Sequence, residues 1–177
     1  MEKLISIPEG IDAKVEGLEV FVIGKNGTLQ RDFFSPIFNK HISIEKFDNK
    51  FKVFTKSDKR KLKSQIGTIV SHIQNMIKGV TEGYVYKLKI IYMHFPFTVK
   101  VSDKNILISN FLGEKQPRKA EVVGECKVEV QGDEIIVTGM DKENVGQTCA
   151  NIERATWIKA RDRRVFSDGI FVTEKSD

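Results

Sequence analysis

The strongest constraint on this chain is an internal repeat. Thr55, Asp58 and Lys59 recur as Thr138, Asp141 and Lys142, each 83 residues further on. The same offset lays Leu62 over Val145, Ile66 over Cys149 and Ile69 over Ile152. Those spacings make one apolar stripe at helical period, so two helices are expected, opening near Asp58-Lys59 and Asp141-Lys142. The first should stop near Lys78-Gly79, with glycine as a left-handed cap. Upstream, alternation of Val20, Val22 and Leu29 in one copy and Val99, Val101 and Ile108 in the other reads as strands. Asn26-Gly27 reads as the centre of a tight hairpin. Lys25-Asn26 then matches Lys104-Asn105 at an offset of 79, which assigns the second copy a loop four residues longer, including Asn110 to Arg118. A helix with one apolar stripe has to bury it against a sheet. The fold class is therefore α+β: two tandem duplicated units, each a small, mainly antiparallel sheet packed against one long helix. The expected boundaries are 1–82 and 83–160, followed by a basic C-terminal arm at 161–177. The short link from Gly79 to Gly83 suggests units held closely.

Charge narrows the partner more by position than by amount. The whole chain carries 29 basic and 24 acidic residues, net +5. Residues 1–82 hold 14 against 10 and residues 83–177 hold 15 against 14, so bulk charge favours the first unit. Screening confines useful fields to about 10 Å or less, and local clusters therefore count for more. One cluster is Lys56, Lys59, Arg60, Lys61 and Lys63 at the start of the first helix, where cations oppose the helix dipole. It reads equally as a solvated face or as a secondary RNA contact. A second is Lys115, Arg118 and Lys119 in the longer loop. The third is Lys159, Arg161, Arg163 and Arg164, offset only by Asp162. Guanidinium groups pair with phosphate oxygens and release counterions, so the third cluster looks built for a polyanion, RNA first. Trp157 and Phe166 would dock this segment; Trp157, ending the helical stripe, reads as core rather than as a platform for a base.

Catalytic and metal chemistries find little support. Gly24-Lys25-Asn26-Gly27 lacks the Gly-Lys-Ser/Thr ending of a phosphate loop. His41, His72 and His94 have no carboxylate at ligand spacing, and His72 beside the first stripe reads as packing. Asp133-Glu134 sits in a turn, and Asp141 with Glu143 suits a helix N-terminus. Cys126 and Cys149 form no paired-cysteine motif, so no disulfide, metal or cofactor is expected, and a reducing cytoplasmic setting fits. No apolar run reaches the roughly 20 residues of a membrane span.

Several strings together carry a family resemblance. HIQNMIKGV (72–80), Gly83 to Met93, His94 to Pro96, NFLGEK (110–115) and the ending Phe166-Ser167-Asp168-Gly169-Ile170 occur in one order along nearly the whole chain. They resemble the large-subunit ribosomal protein six family in its archaeal and eukaryotic branch. The resemblance implies the duplicated fold, no catalytic residue, and a structural place in the cytoplasmic large ribosomal subunit. It further implies that the second unit binds large-subunit ribosomal RNA near the sarcin–ricin loop, where translational GTPases dock, with other ribosomal proteins as neighbours. Carried to this sequence, the RNA-facing residues would be Gly113, Lys115, Arg118, Lys119, Lys159, Arg161, Arg163 and Arg164. The competing functions are an RNA-processing enzyme with a dispersed active site, and a protein–protein adaptor whose basic patches are only solvated.

Overall fold

The computed structural model describes residues 2–36, 41–47, 49–159, 161–162 and 164–176. The chain divides into two compact units, Met1–Gly83 and Tyr84–Asp177. Unit 1 runs β1 (Glu2–Ser6), β2 (Asp12–Glu16), β3 (Glu19–Gly24), β4 (Gly27–Asp32), β5 (Ile42–Phe47), β6 (Lys50–Thr55) and α1 (Arg60–Thr81). Unit 2 runs β7 (Tyr84–Ile91), β8 (Thr98–Ser102), β9 (Asn105–Ser109), β10 (Arg118–Glu121), β11 (Lys127–Gln131), β12 (Glu134–Gly139), α2 (Lys142–Ala155) and β13 (Gly169–Lys175). Every ladder is antiparallel. The sheets are β1-β6-β5 and β2-β3-β4 in unit 1, and β11-β12-β7-β13 and β10-β9-β8 in unit 2. The α+β duplication thus stands, with β13 as a strand that has no counterpart among the described residues of unit 1.

The helix stripes lie where the spacing places them. Leu62, Ile66 and Ile69 are buried in α1, and so are Val145, Cys149 and Ile152 in α2. Each stripe closes over a core of its own. Unit 1 seals Val20, Val22, Phe51, Val53 and Ile73 away from water, and unit 2 does the same with Leu88, Ile106, Ile108, Ile135 and Val137. Each such side chain contributes roughly 1.5–3 kcal/mol of burial, opposed by chain entropy.

The hairpin alignment needs correction. Register equates the β2–β3 hairpin with β8–β9, because Glu16 pairs with Glu19 as Ser102 pairs with Asn105. Val20 and Val22 therefore correspond to the fully buried Ile106 and Ile108 at an offset of 86, whereas Val101 is 41% exposed. Lys104-Asn105 is not the counterpart of Lys25-Asn26; it closes the preceding hairpin, in which Asp103 (φ 45) stands where unit 1 has Gly17 (φ 68). The counterpart of the β3–β4 turn is the segment 110–117 between β9 and β10. Val22 pairs with Leu29 and Ile108 with Arg118, so this connection is three residues longer in unit 2 rather than four.

The β3–β4 turn itself also differs from expectation. Its loop residues are Lys25 and Asn26, since Gly24 pairs with Gly27, and neither takes positive φ. The turn docks instead on the end of α1: the Asn26 backbone N–H donates to the Val80 carbonyl at 3.1 Å, and its side-chain amide to the Thr81 carbonyl at 3.1 Å. Gly24 is needed because a Cβ there would come 2.7–2.9 Å from Val80. The helix accordingly runs through Gly79 to Thr81, held by the buried Val80, and the left-handed glycine is Gly83 at φ 77.

Candidate nucleic-acid interface

The segment 110–117 is built as a rigid platform. Phe111 is fully buried and meets Phe97 edge-on, ring centres 5.2 Å apart. Asn110 (φ 64), Leu112 (φ 49) and Gly113 (φ 79) all occupy left-handed backbone, a conformation that costs a leucine on the order of 1–2 kcal/mol. The Asn110 amide offsets part of that cost by donating to the Pro96 carbonyl at 3.0 Å. Gly113 and Lys115 are thereby held on the surface, both exposed.

Arg118 does not share that freedom. Its guanidinium forks onto the Glu114 carboxylate at 2.6 and 2.8 Å and donates to the carbonyls of Ala155 and Trp157 at 2.9 and 3.1 Å. The same plane lies 4.4 Å from the Phe111 ring centre. The hydrogen bond from Arg118 holds the Glu114 carboxyl below the usual carboxylate range, against the opposing effect of burial. Arg118 therefore caps the end of α2 and ties the loop carrying Lys115 to the stretch that leads into Lys159. Two basic patches separate in sequence become neighbours through one side chain, and Lys119 stands exposed on β10 beside it.

The segment expected as a basic C-terminal arm carries a strand. β13 fills Gly169–Lys175 as an edge strand on β7, because Ile170 is fully buried in the unit 2 core. The stretch before it is pinned by Asp168, 2% exposed, which accepts the backbone N–H groups of Met93 and His94 at 2.7 and 3.0 Å and meets His94 Nδ1 at 2.7 Å. Burial pushes the Asp168 carboxyl up, but the hydrogen bonds from His94 and Met93 outweigh it and hold the group below its usual range. His94 thus has a carboxylate partner, although 74 residues away in sequence. Phe166 stacks on His94 with ring centres 4.5 Å apart, and Arg161 lies 4.7 Å from the Phe166 ring centre. Arg161, Arg164 and Lys159 are exposed, and Arg164 pairs with Asp162 at 3.0 Å. Arg163 lies outside the described residues.

Trp157 is 52% exposed and is not part of the core. In unit 1, Lys56, Lys59, Arg60, Lys61 and Lys63 are all exposed; Lys63 pairs with Asp58 at 2.8 Å, and Lys59 occupies the N-cap of α1 without a side-chain cap. His72 is half-buried with Phe33, ring centres 6.1 Å apart. Among the described residues, no group of three or more His, Cys, Asp or Glu could hold a metal ion, and no helix is long and apolar enough to cross a membrane. Both cysteines are free thiols, and burial pushes the Cys149 thiol up to about 12.

Residues 7–83 and 95–169 match the profile of the family described as Ribosomal protein L6. Large ribosomal subunit protein uL6 of Staphylothermus marinus is 52% identical over 171 residues, covering 95% of this chain and 91% of that protein. The uL6 proteins of Sulfurisphaera tokodaii and Methanothrix thermoacetophila are 49% and 46% identical, each over 97% of this chain and over 90% and 95% of their own lengths.

Proposed function

The chain belongs to the Ribosomal protein L6 family, and on that premise we propose that unit 2 grips a folded segment of large-subunit ribosomal RNA. As a family member it is a structural constituent of the large ribosomal subunit, acts in translation on the cytoplasmic ribosome, and is not an enzyme. The observation that supports RNA as the ligand of unit 2 is the Arg118 bridge, which ties the loop bearing Lys115 to the stretch that leads into Lys159; Lys119, Arg161 and Arg164 are exposed in the same unit. Arg163 joins them by sequence, and Gly113 leaves the backbone open to a close-approaching phosphate, with nothing within 4 Å of a Cβ built there. Arg118 is assigned to positioning rather than to direct contact, since four hydrogen bonds already engage it. Phosphate contacts of this kind fix orientation and carry no base information of their own. The proposed location is the neighbourhood of the sarcin–ricin loop, with translational GTPases and other ribosomal proteins close by. Lys56, Lys59, Arg60, Lys61 and Lys63 make a weaker, secondary contact.

RNA affinity measured against salt tests the assignment. Replacing Arg161, Arg163 and Arg164 by Ala should lower the log–log slope by about 0.7–0.9 for each phosphate that goes unpaired, with the fold intact. Replacing Lys56, Lys59 and Lys61 should lower it less. The reverse order would move the principal contact to unit 1, and binding that ignores salt in the intact protein would favour the adaptor function.

A further inference from the structure

The sheets β5-β6-β1 and β11-β12-β7 share one strand order, but β7 carries β13 on its far side, whereas β1 carries no strand there among the described residues. We propose that this edge of β1 accepts an extended segment of a neighbouring large-subunit protein, laid antiparallel on β1 as β13 lies on β7. The edge belongs to unit 1, and its occupancy is independent of RNA binding by unit 2.

Register fixes the equivalence. The Ile7 N–H donates to the Asn49 carbonyl at 2.8 Å and the Ile90 N–H to the Asp133 carbonyl at 2.8 Å, while Ile5 pairs with Phe51 as Leu88 pairs with Ile135. Backbone groups alternate sides along an antiparallel strand, so Lys3, Ile5 and Ile7 turn theirs to β6, and Glu2, Leu4 and Ser6 turn theirs outward. The matching outward residues of unit 2 are Val85, Lys87 and Lys89. Val85 exchanges hydrogen bonds with Ser176 at 2.9 and 3.1 Å, and Lys87 and Lys89 stand opposite Glu174 and Phe171. On β1 no strand meets the outward groups among the described residues, and Glu2, Leu4 and Ser6 are all exposed. A row of open donors and acceptors is a template for one more strand.

Side chains specify which strand. In β13 the fully buried Ile170 stands opposite Ile90 and Val172 opposite Leu88, so the segment needs apolar residues opposite Ile7 and Ile5. Lys87 pairs with Glu174 at 2.7 Å, but its counterpart Leu4 is apolar and 60% exposed, so an apolar residue belongs opposite it rather than an acid. Lys3, exposed where unit 2 has the buried Tyr86, selects an acid at the place that Lys175 takes in β13. The β13 of a second copy fails at both positions, which assigns the edge to a different chain.

Photo-crosslinking in purified large subunits tests this, with p-benzoylphenylalanine replacing Leu4 in one variant and Ser6 in another. Both should join a single protein, with the Leu4 adduct on the C-terminal side of the Ser6 adduct, as an antiparallel strand requires. The adducts should lie about two residues apart. Adducts to RNA, to a second copy of this chain, in the reverse order or scattered over several proteins overturn the strand-accepting edge, as does the absence of any adduct. Amide exchange reads the same edge without substitution. The Leu4 and Ser6 amides should exchange fast in the isolated protein and about tenfold or more slower in the subunit, with Ile5 slow in both. Fast exchange of Leu4 and Ser6 in the subunit overturns the added strand, and slow exchange in the isolated protein shows that the edge is already filled from within the chain.

Discussion

Asn26 in unit 1 and Arg118 in unit 2 occupy the same stretch of a repeated topology and solve the same problem. Each supplies donors to carbonyls at the end of its unit's helix, Asn26 to Val80 and Thr81, and Arg118 to Ala155 and to Trp157 just beyond it. Unit 1 does this with a two-residue turn pressed against α1 so tightly that Gly24 admits no side chain. Unit 2 does it from further away, with the guanidinium of Arg118, the first residue of β10 after the longer 110–117 connection. The extra length gives unit 2 a raised, strained loop bearing Lys115. With β13, the segment from Lys159 to Asp168 and the His94–Asp168 clasp, it makes up what unit 2 has and unit 1 lacks. The frame is shared, and the candidate interface is assembled almost wholly from what was added to the frame.

Four measurements press on that contrast. The largest effect should come from Asp168→Ala, which leaves the Met93 and His94 N–H groups without their acceptor. Unit 2 should lose about 2–3 kcal/mol, read as faster amide exchange in its peptides with unit 1 unchanged. Equal losses in both units would show that the clasp is not a unit 2 device. Arg118→Lys keeps the charge but removes the fork, and should cost about 1–2 kcal/mol around α2's end together with a fall in RNA affinity. If only affinity falls and exchange near Ala155 is unaltered, Arg118 contacts RNA directly and the parallel with Asn26 fails.

Titration should separate the units by pH. The folded Cys149 thiol is raised to about 12, so its contribution is complete below the ordinary value near 9 and is lost as pH rises from there toward 12, the unfolded thiol ionising first. Asp168 has the opposite sign: its folded carboxyl is depressed, so its contribution is present above pH 4 and lost as pH falls through the folded value. Each slope is at most roughly 1.4 kcal/mol per pH unit. Unit-resolved exchange should show the loss above pH 9 in unit 2 alone, and an acid loss larger there than in unit 1, where the depressed carboxyls Glu2 and Asp58 are exposed; equal losses in unit 1 would contradict their origin. The smallest effect is Lys59→Asp. An acid at the uncapped N-terminus of α1, the position that Asp141 fills in α2 by accepting from the Glu143 N–H at 3.0 Å, should stabilise unit 1 by about 1 kcal/mol. An unchanged melt would mean that Asp58 or Ser57 already serves that end.

What the sequence revealed follows from which interactions leave a local trace. A helix buries every third or fourth residue, so the stripes of α1 and α2 were legible and their offset survived. The hairpins were misaligned because Lys25-Asn26 and Lys104-Asn105 are a shared dipeptide, not a shared position. The true equivalent of Gly17 is Asp103, a different residue in the same left-handed backbone, and spelling cannot reveal that. At the interface the basic clusters stood out as composition, whereas the engagement of Arg118 did not. An arginine bound to carbonyls 37 and 39 residues away reads like any other arginine. The His94–Asp168 pair was hidden by the same long separation, and Trp157 misled because a ring at the end of an apolar stripe can turn outward between two buried neighbours.

β13 has a consequence for how the protein is made. β7 opens unit 2, yet its edge is completed by the last described strand; Val85 donates to the Ser176 hydroxyl, 91 residues along. At ribosomal synthesis rates of about 5–20 residues per second, unit 1 has all of its strands and its helix seconds before β7 meets its final neighbour. During that interval Ile170 is missing from the second core and nothing holds His94 in place. A nascent chain would therefore carry a finished first half while its second half still lacks the strand that closes its core.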